Sequence, residues 1–207
     1  NIYIFMIIII HTNNNDYGLK ALTQASKIYN EQLNYMKEAQ TNVYIGELFL
    51  SSFLINNPKN SISYFEKSLV YYRAKSDTAN IIELITNIAE AYKEINDIEN
   101  ALNYYEELSK FSKLIQDEAS YLISLEELFD LYSIIGVKEK ILEISEKIIN
   151  YSNEDTLFHH IKSFKLSQVW LKRFSIYEDD SRLNNAEIYK EFSIIKRSFE
   201  ISINEDY

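Results

Sequence analysis

The stretch NIAEAYKEINDIENALNYYEELSK, Asn87 to Lys110, constrains the chain more than any other feature. It holds two amphipathic halves. Ile81, Ile82, Ile85, Ile88, Ala89 and Tyr92 recur at helical spacing; Ile98, Ala101, Leu102, Tyr105, Leu108 and Phe111 make a second stripe after the polar break Ile95-Asn96-Asp97. Each stripe is apolar along one side only, so each helix gains its stability by lying against another. Asp97 is placed to cap the second helix, because its carboxylate can accept an otherwise orphaned backbone N–H.

The same form recurs. NVYIGELFLSSFLI precedes NNPKNSISYFEKSLVYY, with Pro58 suited to a first helical turn. EASYLISLEELFDLYSII precedes Gly136 and VKEKILEISEKIINYS, and TLFHHIKSFKLSQVWLKRF precedes EDDSRLNNAEIYKEFSIIKRSF. LKALTQASKIYNEQLNYMKEA lies before them all and reads as one helix of an incomplete pair. The turns sit near Asn57, Asn96, Gly136 and Glu178, roughly 39, 40 and 42 residues apart. This is an internal repeat of helix pairs, and it predicts an all-α fold: a right-handed α-solenoid of about four pairs, folding as one cooperative unit. The repeat resembles the tetratricopeptide repeat, whose period is about 34 residues. Ala89, Tyr92, Ala101 and Tyr105 carry that repeat's small-and-aromatic pattern. Equivalent places elsewhere hold Leu50, Phe129, Ile62 and Ile141, so longer helices and looser packing are expected. The helical repeat domain is expected over 22–207, behind an N-terminal segment, 1–21.

Composition supports helices and narrows the partners. Three glycines and one proline in 207 residues leave little turn or strand punctuation. The 17 tyrosines suit half-buried helix faces, where the ring packs and the hydroxyl stays wet. Thirty-one acidic residues against 21 basic ones give a net charge of −10. Such a chain, with no dominant basic stripe, is a poor ligand for nucleic acid. With no cysteine there is no disulfide or thiolate chemistry, and a cytoplasmic location is the expectation. The opening run NIYIFMIIII is shorter than the about 20 residues a spanning helix needs. It has neither the basic start nor the cleavage site of a signal peptide. It reads as a buried first segment, with membrane contact and a signal remnant as alternatives.

The sequence holds no catalytic or cofactor signature: no H-E-x-x-H, Gly-rich phosphate loop, nucleophile elbow or Cys/His metal spacing. His159 and His160 are adjacent, so on a helix they point about 100° apart and cannot share one metal. Glu178-Asp179-Asp180 is a scrap of a calcium loop and reads as a capping turn. Glu106-Glu107 and Glu126-Glu127 read as solvated helix faces. No enzyme activity and no cofactor are expected.

One segment departs from the acidic background. From Phe158 to Phe174 there is no acidic residue. Lys162, Lys165, Lys172 and Arg173 fall within an arc of about 100° on one helix face, and Phe164, Leu171 and Phe174 are expected to face the core, with Trp170 at the flank. The strip is either a solvated face or a cationic surface that docks an acidic partner. Rim charges of that kind set on-rate and partner choice more than affinity.

Several of these words resemble the soluble NSF-attachment proteins, the SNAP adaptors of vesicle fusion. NNPKNSISYFEKSLVYY is similar to the family's NP-x-x-A-hydrophobic segment, and NIAEAYKEINDIENALNYYEEL to its I-A-E-I-Y followed by D-hydrophobic-E-K-A-I-x-x-Y-E. The late pair LFHHIKSFKLSQVW and DDSRLNNAEIYKEF is similar to the family's last pair. The resemblance covers roughly Leu22 to Phe199 and is ungapped between Asn56 and Tyr92. It implies a non-enzymatic adaptor that binds the assembled SNARE four-helix bundle on its concave face and recruits the ATPase NSF, with peripheral membrane association. Three departures stand beside it. Two positions where the family is basic fall on Asp77 and Glu83, and a third near Glu126, so only the Lys162 to Arg173 strip keeps the family's sign. The family's C-terminal helical cap, with its NSF-stimulating leucine, has no counterpart after Tyr207. Its membrane-touching apolar loop is not recognisable. The other readings of the same repeat are a bacterial peptide-binding sensor or regulator domain and a generic protein-interaction scaffold.

Overall fold

A computed structural model describes residues 15–51, 56–154, 168–169 and 171–177. Seven helices lie among them: α1 (Asn15–Glu31), α2 (Tyr35–Ser51), α3 (Pro58–Lys75), α4 (Thr78–Glu94), α5 (Ile98–Ile115), α6 (Glu118–Ile135) and α7 (Lys138–Glu154). Residues 168–169 and 171–177 are also helical, and no strand occurs among the described residues. The chain forms two compact units, Asn1–Ser120 and Tyr121–Tyr207.

The period comes from the turns. Ser76, Asn96, Gln116 and Gly136 all have left-handed backbone, with φ of 55°, 58°, 61° and 75°, and each stands 20 residues after the last. The N–H of the next residue then reaches back to the last turn: Asp77 to the Tyr72 carbonyl at 3.1 Å, Asp97 to Tyr92 at 2.9 Å, Asp117 to Ser112 at 2.9 Å and Val137 to Tyr132 at 3.2 Å. This closes each helix with a Schellman motif. The residue that closes one helix also starts the next. Asp77 and Asp97 each accept the backbone N–H of the asparagine three residues on at 3.3 Å, and its side-chain amide at 2.8 Å. Asp117 does the same with Ser120, at 3.1 Å and 2.9 Å. A left-handed residue followed by a cap is therefore a complete helix-to-helix connector. Helices of 17 to 18 residues plus this connector make the module. Two modules make the 40-residue pair, and the excess over the tetratricopeptide period of about 34 goes into helix length.

The expected leading helix LKALTQASKIYNEQLNYMKEA is two helices. Leu33 is left-handed at φ 57°. Asn34 donates its N–H to the Tyr29 carbonyl at 2.8 Å and accepts the Lys37 N–H on its side chain at 3.3 Å. The connector is the same device, without a glycine to advertise it. α2 therefore begins at Tyr35, and α1 begins at Asn15, upstream of Leu22.

In the first unit each helix packs on the next, α1 on α2 through to α4 on α5. The buried stripe repeats at the same phase: Ser61, Phe65, Ser68 and Tyr72 in α3; Ile81, Ile85 and Ile88 in α4; Ala101, Tyr105, Leu108 and Ser112 in α5. These positions are i, i+4, i+7 and i+11, one face of a helix. Leu22 of α1 joins Ile45, Leu48 and Phe49 of α2 in one cluster, flanked by Leu19, Tyr44 and Tyr64. The Phe49 and Tyr64 rings stack with centroids 5.9 Å apart. The Ser68 hydroxyl, buried in the stripe, donates to the Ala39 carbonyl across the α2–α3 contact at 2.9 Å. In the second unit α6 buries Leu125, Leu128, Phe129 and Leu131, α7 buries Ile141, Ile144 and Ile148, and Val169 and Ile176 are buried from the last described stretch.

Gly46 fixes the α2–α3 approach. A Cβ there would sit 2.5 Å from the Phe65 ring, which is itself fully buried. Gly46→Ala gains about 1 kcal/mol of helix propensity but forces a ring that has nowhere to go, an overpacking cost of about 1–3 kcal/mol. We expect a net loss of about 1 kcal/mol in urea unfolding, with partial recovery when Phe65→Leu is added. Unchanged or raised stability in the single variant would show that α3 can move away.

Candidate protein-binding surface

In the first unit α2 and α4 are the first helices of their pairs. Their polar sides carry Gln40, Tyr44 and Glu47 on α2, and Glu83, Asn87 and Glu90 on α4. Glu47 is half-buried. Burial first, and the Glu83 carboxylate second, push its carboxyl up from 4.5 to about 7. Asp77 and Glu83, where a basic grip would be expected from the resemblance, differ in role. Asp77 is committed to capping α4 through Asn80, whereas Glu83 is exposed. Glu126 is half-buried on α6 in the second unit.

The second helices are tied together at the surface. Tyr104 of α5 donates its hydroxyl to Glu66 of α3 at 3.1 Å and stacks on Tyr92 of α4 at 5.6 Å. Burial, then Glu66, push the Tyr104 hydroxyl well above the usual phenol range. Arg73 of α3 pairs with Glu107 of α5. These contacts join helices two apart, over 34 to 38 residues of sequence. Glu107, expected to be merely solvated, is thus a bridging group; Glu106 is half-buried and lies 3.6 Å from Lys110.

Lys162 and Lys165 lie outside the described residues, as do Phe164, His159, His160 and Glu178-Asp179-Asp180. Lys172 and Arg173 are both half-buried. Arg173 is turned into its own unit. It donates to the Ser145 hydroxyl at 2.9 Å, to the Tyr177 hydroxyl at 2.8 Å and, at 3.5 Å, to the Leu142 carbonyl. Its guanidinium also lies 5.4 Å from the Tyr177 ring centre. Leu171, expected in the core, is 52% exposed; the buried residues are Val169 and Ile176. The inward phase therefore runs 169, 173, 176. Arg173 occupies a core-facing place and fastens this stretch to α7. The i, i+4, i+7 spacing of Val169, Arg173 and Ile176 is present in the sequence, whereas the charge of Arg173 by itself points to solvent.

Among the described residues no group of three or more His, Cys, Asp or Glu could hold a metal ion. No helix among them is long and apolar enough to cross a membrane.

Helix pairs of 40 residues, closed by recurring connectors and stacked through one buried stripe, define an α-solenoid of the tetratricopeptide-like class. Solved structures of that class match. A Podosopora anserina kinesin light chain with nearly identical TPR-like repeats, and a single-substitution form of it, each align with a TM-score of 0.65 and 11% identity over 95% of this chain and 92% of theirs. BtubC (BKLC) from P. vanneervenii aligns with a TM-score of 0.67 and 13% identity over 99% of this chain and 80% of its own. At these identities the likeness is one of fold. No curated protein matches the sequence. The family description "Soluble NSF attachment protein, SNAP" matches residues 3–193, and the chain belongs to the SNAP family. SNAP and TPR-like proteins are adaptors and scaffolds that bind other proteins.

Arg173 and Lys172 are neighbours with different jobs, and this is measurable. Arg173→Ala should cost about 1–3 kcal/mol, the worth of charge-assisted hydrogen bonds, and Lys172→Ala less than about 0.5 kcal/mol, by chemical denaturation monitored through helical circular dichroism. Equal, small effects would show that the Arg173 bonds contribute nothing net.

Proposed function

We propose that this protein is an adaptor of vesicle fusion, one that binds assembled SNARE complexes and recruits an NSF-type ATPase for their disassembly, in the cytoplasm and at the periphery of membranes. The observation that carries this reading is the match to the SNAP family across nearly the whole chain. In the first unit the helices are joined by short connectors and cross-tied by Tyr104–Glu66 and Arg73–Glu107, which supports a surface that keeps its form against a protein partner.

Within this reading Lys162, Lys165 and Lys172 supply the cationic contact to the acidic bundle. Arg173 supports Lys172 by holding residues 171–177 to α7. The acidic polar sides of α2 and α4 favour a second reading, a TPR-type scaffold for a different protein partner.

Purified SNARE bundle from the same organism should retain the protein in a pull-down at low salt and release part of it at physiological salt, because exposed charges are screened over about 8 Å at that ionic strength. Replacing Lys162, Lys165 and Lys172 together by Ala should weaken low-salt binding about tenfold or more and leave the helical circular dichroism intact. Adding the ATPase to the loaded beads then tests recruitment. Absence of binding at either salt would move the assignment to the scaffold reading.

A further inference from the structure

α3 departs from the charge of its neighbours. Lys59, Lys67, Arg73 and Lys75 stand against one acid, Glu66, so this helix carries three more cations than acids. By the same count α1 is neutral, and α2, α4, α5, α6 and α7 are each negative, in a chain of net charge −10. Arg73 and Glu66 are both engaged at one edge of the helix, by Glu107 and Tyr104 of α5. The exposed face that remains is cationic.

Lys59, Lys67 and Lys75 are exposed, and none of them pairs with a carboxylate among the described residues. At 100° per residue they share with Tyr64, Val70 and Tyr71 an arc of about 160°, opposite the buried Phe65 stripe. Two of the ammonium groups are held in place. Lys67 lies 5.1 Å from the Tyr64 ring centre and Lys75 lies 5.9 Å from that of Tyr71. The rings are anchored in turn: Tyr64 stacks on Phe49 of α2, and Tyr71 meets Tyr72 edge-on at 5.4 Å. Lys67 and Lys75 are eight residues apart, about 12 Å along the helix. Between them along the helix Val70 leaves an apolar side chain 70% exposed. Charges held in place lose less freedom on binding than mobile lysines do.

These features select the occupant. Carboxylates about 12 Å apart with an apolar group between them occur on one side of an amphipathic helix, at a spacing of seven or eight residues. Duplex nucleic acid presents closely spaced phosphates and nothing apolar for Val70, and the negative charge of the whole chain repels it. An anionic membrane surface is repelled in the same way.

We propose that the exposed face of α3 docks an acidic amphipathic helix of another protein: Lys67 and Lys75 meet carboxylates of that helix, and Val70 meets its apolar stripe. The site lies on a second helix of the first unit, shares no residue with the strip from Lys162 to Arg173, and does not depend on SNARE binding. One helix laid on another buries less than a standard interface, so the contact is transient and salt-sensitive.

The probe is a synthetic helix of about 20 residues, with Leu along one stripe and Glu beside it, added to the full chain while amide chemical shifts are followed. At low salt the amides of α3 should shift most, and physiological salt should weaken the binding. A scrambled peptide of the same composition should bind about tenfold more weakly. Lys67→Glu with Lys75→Glu should also weaken binding about tenfold or more at unchanged helical circular dichroism. Lys67→Ala with Lys75→Ala should do so to a smaller extent. Replacing Lys162, Lys165 and Lys172 by Ala should leave it unchanged. The absence of α3 shifts at low salt would overturn the proposal. So would equal binding of the scrambled peptide, or shifts on α3 produced by duplex DNA or phosphatidylserine vesicles and not by the helix.

Discussion

The structure rests on a short connector that ends one helix and begins the next. A left-handed residue lets the following N–H reach back to the last turn, and that same following residue, usually Asp, caps the next helix through its carboxylate. Because the connector has no slack, the chain must reverse at once, and helices adjacent in sequence lie against each other. Because it recurs every 20 residues, the buried stripe returns at the same phase each time. Register, packing order and helix length all follow. The non-glycine residues in the left-handed position cost about 1 kcal/mol each, a strain that the two satisfied helix ends offset.

Packing then refines what the connectors impose. Gly46 admits the Phe65 ring onto the α2 backbone, and Ala89, Ala91 and Ala101 are fully buried where α4 and α5 pack against their neighbours. Polar groups finish the work at the surface, where Tyr104–Glu66 and Arg73–Glu107 cross-link second helices two apart. A face built this way holds its shape, and that suits an adaptor. In the first unit the polar sides of α2 and α4 carry the carboxylates of Glu47, Glu83 and Glu90.

Legibility varied with the range of the interaction that decides each feature. The helices around Asn87–Lys110, the Pro58 start and the Asp97 cap are local and were readable from spacing. The break at Leu33 is local as well but lacks any glycine or proline, and so it passed for continuous helix. Arg173 shows a different failure. Its charge suggested solvent, yet its place on the Val169–Ile176 face sends it to Ser145 and Leu142, whose proximity is a tertiary fact. Glu47 carried no signal at all; burial and Glu83, which lies two helices further along the chain, set its environment.

The sequence by itself determined the all-helical class, the 40-residue pair, the capping chemistry at Asp97 and the SNAP relationship, because helix periodicity and capping are short-range and printed in consecutive residues. The tertiary structure alone decided which charges face solvent, which tie helices together and which strain one another. Burial and Coulomb interaction depend on distance in space, and 34 residues of chain separate Arg73 from the carboxylate that it meets.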